Sequence, residues 1–278
     1  MSKLDILFME PDSSKKAYQD LSKIHSAIET PTWSLLLAQS CRAKGYKVSI
    51  LDPTAERLSD EKTIDKIKYL KPKILCVVVY GQNPNSGTTN MIGAERLCKK
   101  LKEDYSDVFV VIVGSHVSAL PKEVLKNDFV DCVLLNEGVY ALHELAASNL
   151  NKISLSKIKG IGYKDEENKL ILNEPQIVVP QDKIDQDLPG YAWDLLPYEK
   201  TPLDLYRAHF WHTGFSHEKR TPFAAIYTTL GCKFSCDFCM INILNRSDNE
   251  DNINSSHSSI MRGWSSDLLL NEFEKLAS

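Results

Sequence analysis

Long apolar runs are missing from this 278-residue chain. The longest lies near ILCVVVY over 74–80, far short of the about 20 residues that a membrane-spanning helix needs. The N-terminal stretch MSKLDILFMEPDSSKK lacks the apolar segment of a signal peptide. A charge excess is missing too. The net charge of −4 gives no reason to expect nucleic acid or another polyanion as partner. No GxGxxG follows the first predicted strand, and no GxxxxGKS/T occurs anywhere. Dinucleotide and P-loop readings therefore lose their best support. Cysteine pairs are scarce. The count of seven is odd, and Cys41, Cys76, Cys98 and Cys132 are scattered through apolar predicted helices and strands. In such places a free thiol acts as a small hydrophobe. These absences exclude a secreted disulfide scaffold and predict a cytoplasmic globular protein.

What is present is an alternation of two periods. LDILFME (4–10), YKVSILD (46–52), KILCVVVY (73–80), DVFVVIVG (107–114) and VDCVLLN (130–136) read as strands. Helices are predicted from Thr30-Pro31 to Gly45, over 59–70, over 88–104, near 121–127 and over 137–148. Thr30 is the expected cap of the first, and Gly45 its stop. Strands apolar on both faces, separated by amphipathic helices, predict a five-stranded parallel sheet, doubly wound in the flavodoxin-like manner. Such a sheet binds ligands at the carboxyl ends of its strands. Those ends are Glu10-Pro11-Asp12, Asp52-Pro53-Thr54, Tyr80-Gly81-Gln82-Asn83, Gly114-Ser115-His116 and Asn136-Glu137-Gly138.

The reading divides the chain into a doubly wound domain over 1–150, a linker with a β-hairpin over 151–220, and a final portion over 221–278. The hairpin is IKGIGYKDEENKLILNE, turning at Asp165-Glu166-Glu167-Asn168. Tyr191, Trp193 and Tyr198 in the linker are expected to pack rather than to bind. His209, His212 and His217 read as surface histidines of the linker. AAIYTTL (224–230) is expected as a strand, and SSDLLLNEFEKLAS as a helix capped by Ser266 with Leu269, Phe273 and Leu276 on one face.

Between that strand and that helix stands TTLGCKFSCDFCMIN, with Cys232, Cys236 and Cys239 inside eight residues. Three explanations compete. An odd number of thiols in a reducing compartment speaks against disulfides. Structural zinc wants four ligands, commonly two CxxC pairs, and His212, His217 and His257 stand at no finger-like spacing. Three thiolates on one tight loop can instead hold three irons of a 4Fe–4S cluster and leave the fourth open.

The spacing C-x-x-x-C-x-x-C after a strand, with Phe238 before the last cysteine, resembles the radical S-adenosylmethionine (radical SAM) superfamily. That resemblance implies a 4Fe–4S cluster on Cys232, Cys236 and Cys239, and S-adenosylmethionine on the open iron with Phe238 near its adenine. It further implies reductive cleavage to a 5′-deoxyadenosyl radical, with an electron donor of flavodoxin or ferredoxin type. A doubly wound domain ahead of such a loop resembles the cobalamin-binding radical SAM proteins. The segments that carry this are PTWSLLLAQSCRAKGYKVSILD (31–52), VVVYGQNPN (77–85), GSHVSALPKEVL (114–125) and NEGVYALHEL (136–145).

By position, Tyr80, Gly81, Gln82, Asn83, Gly114, Ser115, His116, Glu137 and Gly138 would line the cobalamin site. The D-x-H-x-x-G of mutases and methionine synthase is absent; neither His25 nor His116 suits a cobalt ligand, so cobalt would have no protein histidine below it. His116 on its own reads as a turn histidine bonded to backbone. The resemblance implies methyl transfer or related radical chemistry on a small molecule or peptide that the residues do not identify. Residues 221–278 would supply the first βα unit of a partial barrel, so the chain is expected to be incomplete, with apolar faces left open and little turnover. The competing expectation is a non-enzymatic cobalamin or nucleotide module with a metal-bound tail.

Overall fold

A computed structural model describes residues 4–20, 27–80, 87–198, 206, 223–234, 236, 238–245 and 260–278. Seven strands form its main sheet: β1 (Ile6–Met9), β2 (Val48–Leu51), β3 (Ile74–Val78), β4 (Phe109–Val113), β5 (Cys132–Leu134), β6 (Ile161–Lys164) and β7 (Leu170–Leu172). Their order is β2-β1-β3-β4-β5-β6-β7. The first five run parallel, with Ile6 opposite both Val48 and Ile74. The expected doubly wound parallel sheet is therefore present. The hairpin expected in the linker extends it: β6 pairs antiparallel with β5, and β7 with β6. Pairing follows from composition, since Ile161, Gly162 and Tyr163 are buried against the sheet edge.

Ten helices accompany the strands among the described residues. They are α1 (Ser14–Tyr18), α2 (Thr32–Ala43), α3 (Asp60–Leu70), α4 (Gly87–Asp104), α5 (Ser115–Ala119), α6 (Pro121–Leu125), α7 (Val139–Ala147), α8 (Lys152–Leu155), α9 (Ile184–Asp187) and α10 (Ser266–Ala277). The strand alternation sorts side chains onto two faces. Ile6, Phe8, Ile74, Cys76 and Val78 join one core with α2 and α7. Leu7, Met9, Leu75, Val77 and Val79 join the other with α3 and α4. Burial on both faces is what a parallel sheet requires. Cys41, Cys76, Cys98 and Cys132 are all buried as packing residues, and burial pushes the Cys98 thiol up to about 12.

Three local expectations are corrected. Thr30 does not cap α2; Pro31 holds that position without a side-chain bond, and the Thr30 hydroxyl instead accepts from the Ala225 amide at 3.1 Å. At α10 the cap is Ser265, whose hydroxyl accepts from Leu268 N, not Ser266. The strand expected over 224–230 shrinks to β8 (Thr229–Gly231), which pairs antiparallel with β9 (Met261–Gly263), a strand not expected. The reason lies in the preceding backbone. Thr32 donates to Ala225 O, and the Tyr191 hydroxyl bonds both the amide and the carbonyl of Tyr227 at 2.8 and 2.9 Å. Side-chain hydroxyls occupy the positions a neighbouring strand would need.

Candidate cobalamin edge and cysteine loop

In the order β2-β1-β3 the chain leaves β1 for one side and later returns on the other. The ligand crevice of such a sheet opens at that reversal, beyond the carboxyl ends of β1 and β3. Glu10 and Tyr80 flank it. Glu10 accepts from the Ser34 hydroxyl at 2.7 Å. Burial raises its carboxyl well above the usual range, and the neighbouring Asp52 adds to this. Asp52 ends β2 and is buried, accepting from Ala55 N and from the Tyr206 hydroxyl. Burial pushes it up to about 6. At the edge over β1 and β2 burial thus favours protonation of two carboxyls, with Asp52 still accepting from its two donors.

Across the crevice the Tyr80 hydroxyl donates to Asn136 O at 3.0 Å, and its carbonyl accepts from Asn90. Trp33 packs its ring 5.1 Å from Tyr80 and 6.4 Å from Tyr227, and its indole N–H donates to Glu137 O. Trp33 and Ser34 open α2, so one helix start serves both sides of the crevice. Sequence reading missed both; the Pro31-Thr32-Trp33-Ser34 start of a helix that follows β1 was the available signal.

The remaining edge residues divide. A Cβ at Gly114 would sit 2.5 Å from Val79 O, and one at Gly138 (φ +74) would sit 2.9 Å from Val113 Cγ2. Both glycines thus serve close approach within the protein itself. Ser115 is buried. His116 lies in α5 rather than in a turn, its Nδ1 3.1 Å from the Thr88 hydroxyl, not on backbone as expected, and burial lowers its pKa. Glu137 is 5% exposed, and its carboxylate is taken by Arg262 and by the Val179 amide. Gly81, Gln82 and Asn83 lie outside the described residues, as do His25, His209, His212, His217 and His257.

The edge thus sets an aromatic cluster of Trp33, Tyr80 and Tyr227 on one side and the carboxyls of Glu10 and Asp52 on the other. Residues 26–146, which hold most of this edge, match the B12 binding domain family. Over 210 residues the chain is 29% identical to an uncharacterized methyltransferase of Pyrococcus horikoshii, covering 75% of this chain and 40% of that one. Among solved structures it resembles the cobalamin-dependent S-adenosylmethionine radical enzyme OxsB, with aqua-cobalamin and S-adenosylmethionine bound. The TM-score is 0.65 at 15% identity, over 98% of this chain and 31% of OxsB. It also resembles the radical S-adenosylmethionine methyltransferase TsrM of Kitasatospora setae, with cobalamin and a [4Fe-4S] cluster bound. There the TM-score is 0.59 at 16% identity, over 100% of this chain and 47% of TsrM. The chain thus spans less than half the length of these relatives.

The cysteine loop follows β8. All three thiols are free, with Cys236 exposed and Cys232 and Cys239 half-exposed. A turn links Cys239 N to Cys236 O at 3.0 Å, and the Phe234 amide donates to the Cys232 sulfur. Phe238 is 82% exposed. Three unbonded thiols within eight residues are chemically suited to iron–sulfur ligation. Among the described residues, though, no three or more Cys, His, Asp or Glu are gathered as a metal site. No helix among them is long and apolar enough to cross a membrane.

The C-terminal portion is tied to the parallel-sheet domain through residues 179–198. Ala192 N donates to Leu35 O, Arg42 pairs with Asp194, and Tyr140 donates to Asp187 on the domain side. On the other side Trp264 donates to Leu188 O, and Trp193 donates to the fully buried Glu272 of α10 at 2.7 Å. Tyr191 and Trp193, expected to pack, do so with ring centroids 5.0 Å apart.

Proposed function

We propose that this chain is the cobalamin-binding and cluster-bearing part of a cobalamin-dependent radical SAM enzyme, with methyl transfer as its reaction class. One observation carries the reading: a B12 binding domain and a three-thiol loop stand on one chain, in a fold shared with OxsB and TsrM. The methyltransferase name of the Pyrococcus relative supports the reaction class.

When bound, cobalamin would supply a transferable methyl group, and a 4Fe–4S cluster with S-adenosylmethionine would supply a carbon radical. The chain's own residues do the rest. Trp33 and Tyr80 back the crevice, while burial favours the protonated form of Glu10, which can then donate to ligand amides or water. Cys232, Cys236 and Cys239 are the cluster donors, and Phe238, exposed beside them, is placed to cover the nucleoside of S-adenosylmethionine. The free buried thiols fit a reducing, cytoplasmic setting. The partners of this reading are a low-potential flavodoxin or ferredoxin and a small-molecule or peptide substrate.

Anaerobic reconstitution with iron and sulfide tests it. The expected product is brown and carries about four irons per chain, lost when Cys232, Cys236 or Cys239 is changed to Ala. Stoichiometric zinc in place of iron overturns the cluster assignment.

A further inference from the structure

β9 sits directly opposite β8, with Arg262 facing Leu230, two residues before Cys232. From there Arg262 reaches the far end of the parallel sheet. Both terminal nitrogens bond the Glu137 carboxylate, Nη1 at 3.1 Å. Nη1 also donates to Val179 O at 2.6 Å, and Val179 N donates back to Glu137 at 3.2 Å. Arg262 is 2% exposed. Glu137 belongs to the exit of β5 at the start of α7, and its carbonyl accepts from Trp33, which packs on Tyr80. One buried ion pair therefore joins the strand beside the cysteine loop to the edge where the B12 domain takes its ligand.

Stability alone does not account for this pair. A buried ion pair is commonly no better than packed apolar residues. This one is also incompletely satisfied, since Arg262 Nε is buried without a partner. What a planar, two-pronged guanidinium–carboxylate contact supplies is a single geometry. Removing either partner strands a charge in the interior, so the two portions have one favourable register.

We propose that Arg262 and Glu137 are positioning residues, which fix the register of the cysteine loop against the cobalamin-binding edge. The proposal rests on the function above only for the identity of the groups brought together. The clamp itself belongs to the unloaded chain.

Two measurements on the full chain test it, with Arg262→Met, Arg262→Lys and the double variant Glu137→Met/Arg262→Met. Hydrogen exchange reads the clamp. Arg262→Met is expected to speed exchange at 229–231 and 261–263 at least about tenfold while leaving β3 and β4 unchanged. Arg262→Lys keeps the charge without the fork, and is expected to fall between. The second measurement is electron spin relaxation of bound cob(II)alamin by the reduced cluster, which depends on their separation. The double variant leaves no stranded charge, so its thermal midpoint is expected to recover most of the loss seen in Arg262→Met. Its relaxation enhancement is expected to stay lost. Unchanged exchange in Arg262→Met, or full wild-type relaxation in the double variant, overturns the proposal. Failure to take up iron would count against the proposed function, and the exchange result would still decide the clamp.

Discussion

The parallel-sheet domain and the cysteine-bearing portion differ in how much apolar surface they bury. Every residue of β1 and β3 is fully buried, enclosed by helices on both faces. In the C-terminal portion Phe234, Phe238, Met261, Leu270 and Phe273 are each at least half exposed, and of α10 only Glu272 is buried. The first region is held by packing. The second adds to a few core residues, Leu230 and Trp264 among them, named hydrogen bonds to the 179–198 strap and the Arg262–Glu137 pair. Hydrophobic burial is non-directional and tolerant, whereas polar clamps fail one contact at a time. The cluster loop should therefore loosen without the sheet noticing.

The largest expected effect separates the regions most sharply. Gly114→Val places a side chain against Val79 O and Val79 Cγ2, and should cost the parallel-sheet domain about 3–5 kcal/mol in urea unfolding. A loss below about 1 kcal/mol would show that the β3–β4 exits yield more than their packing suggests. Trp193→Phe removes the indole donor to buried Glu272. It should cost about 1–3 kcal/mol, confined to α10 and seen by exchange there rather than in the sheet.

A pH-dependent effect of middle size belongs to the strap. Ser40 donates to Asp187 O, and His143 Nε2 lies 3.0 Å from the Ser40 hydroxyl. Burial, with Lys44 adding to it, pushes His143 down to about 4. An unfolded histidine titrates near about 6.5, so below that pH the unfolded chain binds the proton first. The stability from neutral His143 is therefore complete above about pH 6.5 and is lost as pH falls towards about 4. His143→Gln should be less stable than wild type by about 1 kcal/mol at pH 7.5, and that gap should close between pH 6.5 and 4. A gap that is constant with pH would contradict this. The smallest effect is Cys232/Cys236/Cys239→Ala. With no thiol engaged in packing, it should move the sheet's unfolding by less than about 0.5 kcal/mol.

The same contrast decided what the sequence disclosed. The parallel strands and their principal helices were legible because burial on both faces leaves a plain periodic pattern, and the cysteine loop because its spacing is local. AAIYTTL also carried a strand pattern. Yet its backbone bonds are taken by Thr30, Thr32 and Tyr191, residues 36 to 195 positions away, and no local period records that. Glu137 read as a rim residue because its position at a strand exit is local information. Its engagement with Arg262, 125 residues on, is not. Trp33 and Ser34 were missed for a related reason: an amphipathic helix pattern says which face is buried, not which residues open onto a crevice.

The central claim is that the edge flanked by Glu10, Trp33 and Tyr80 takes cobalamin, and its most direct test is retention of hydroxocobalamin by the full chain through gel filtration. The account predicts one cobalamin per chain, and weakened retention in Trp33→Ala. A chain that emerges colourless, or one that holds cobalamin equally well without Trp33, would contradict it.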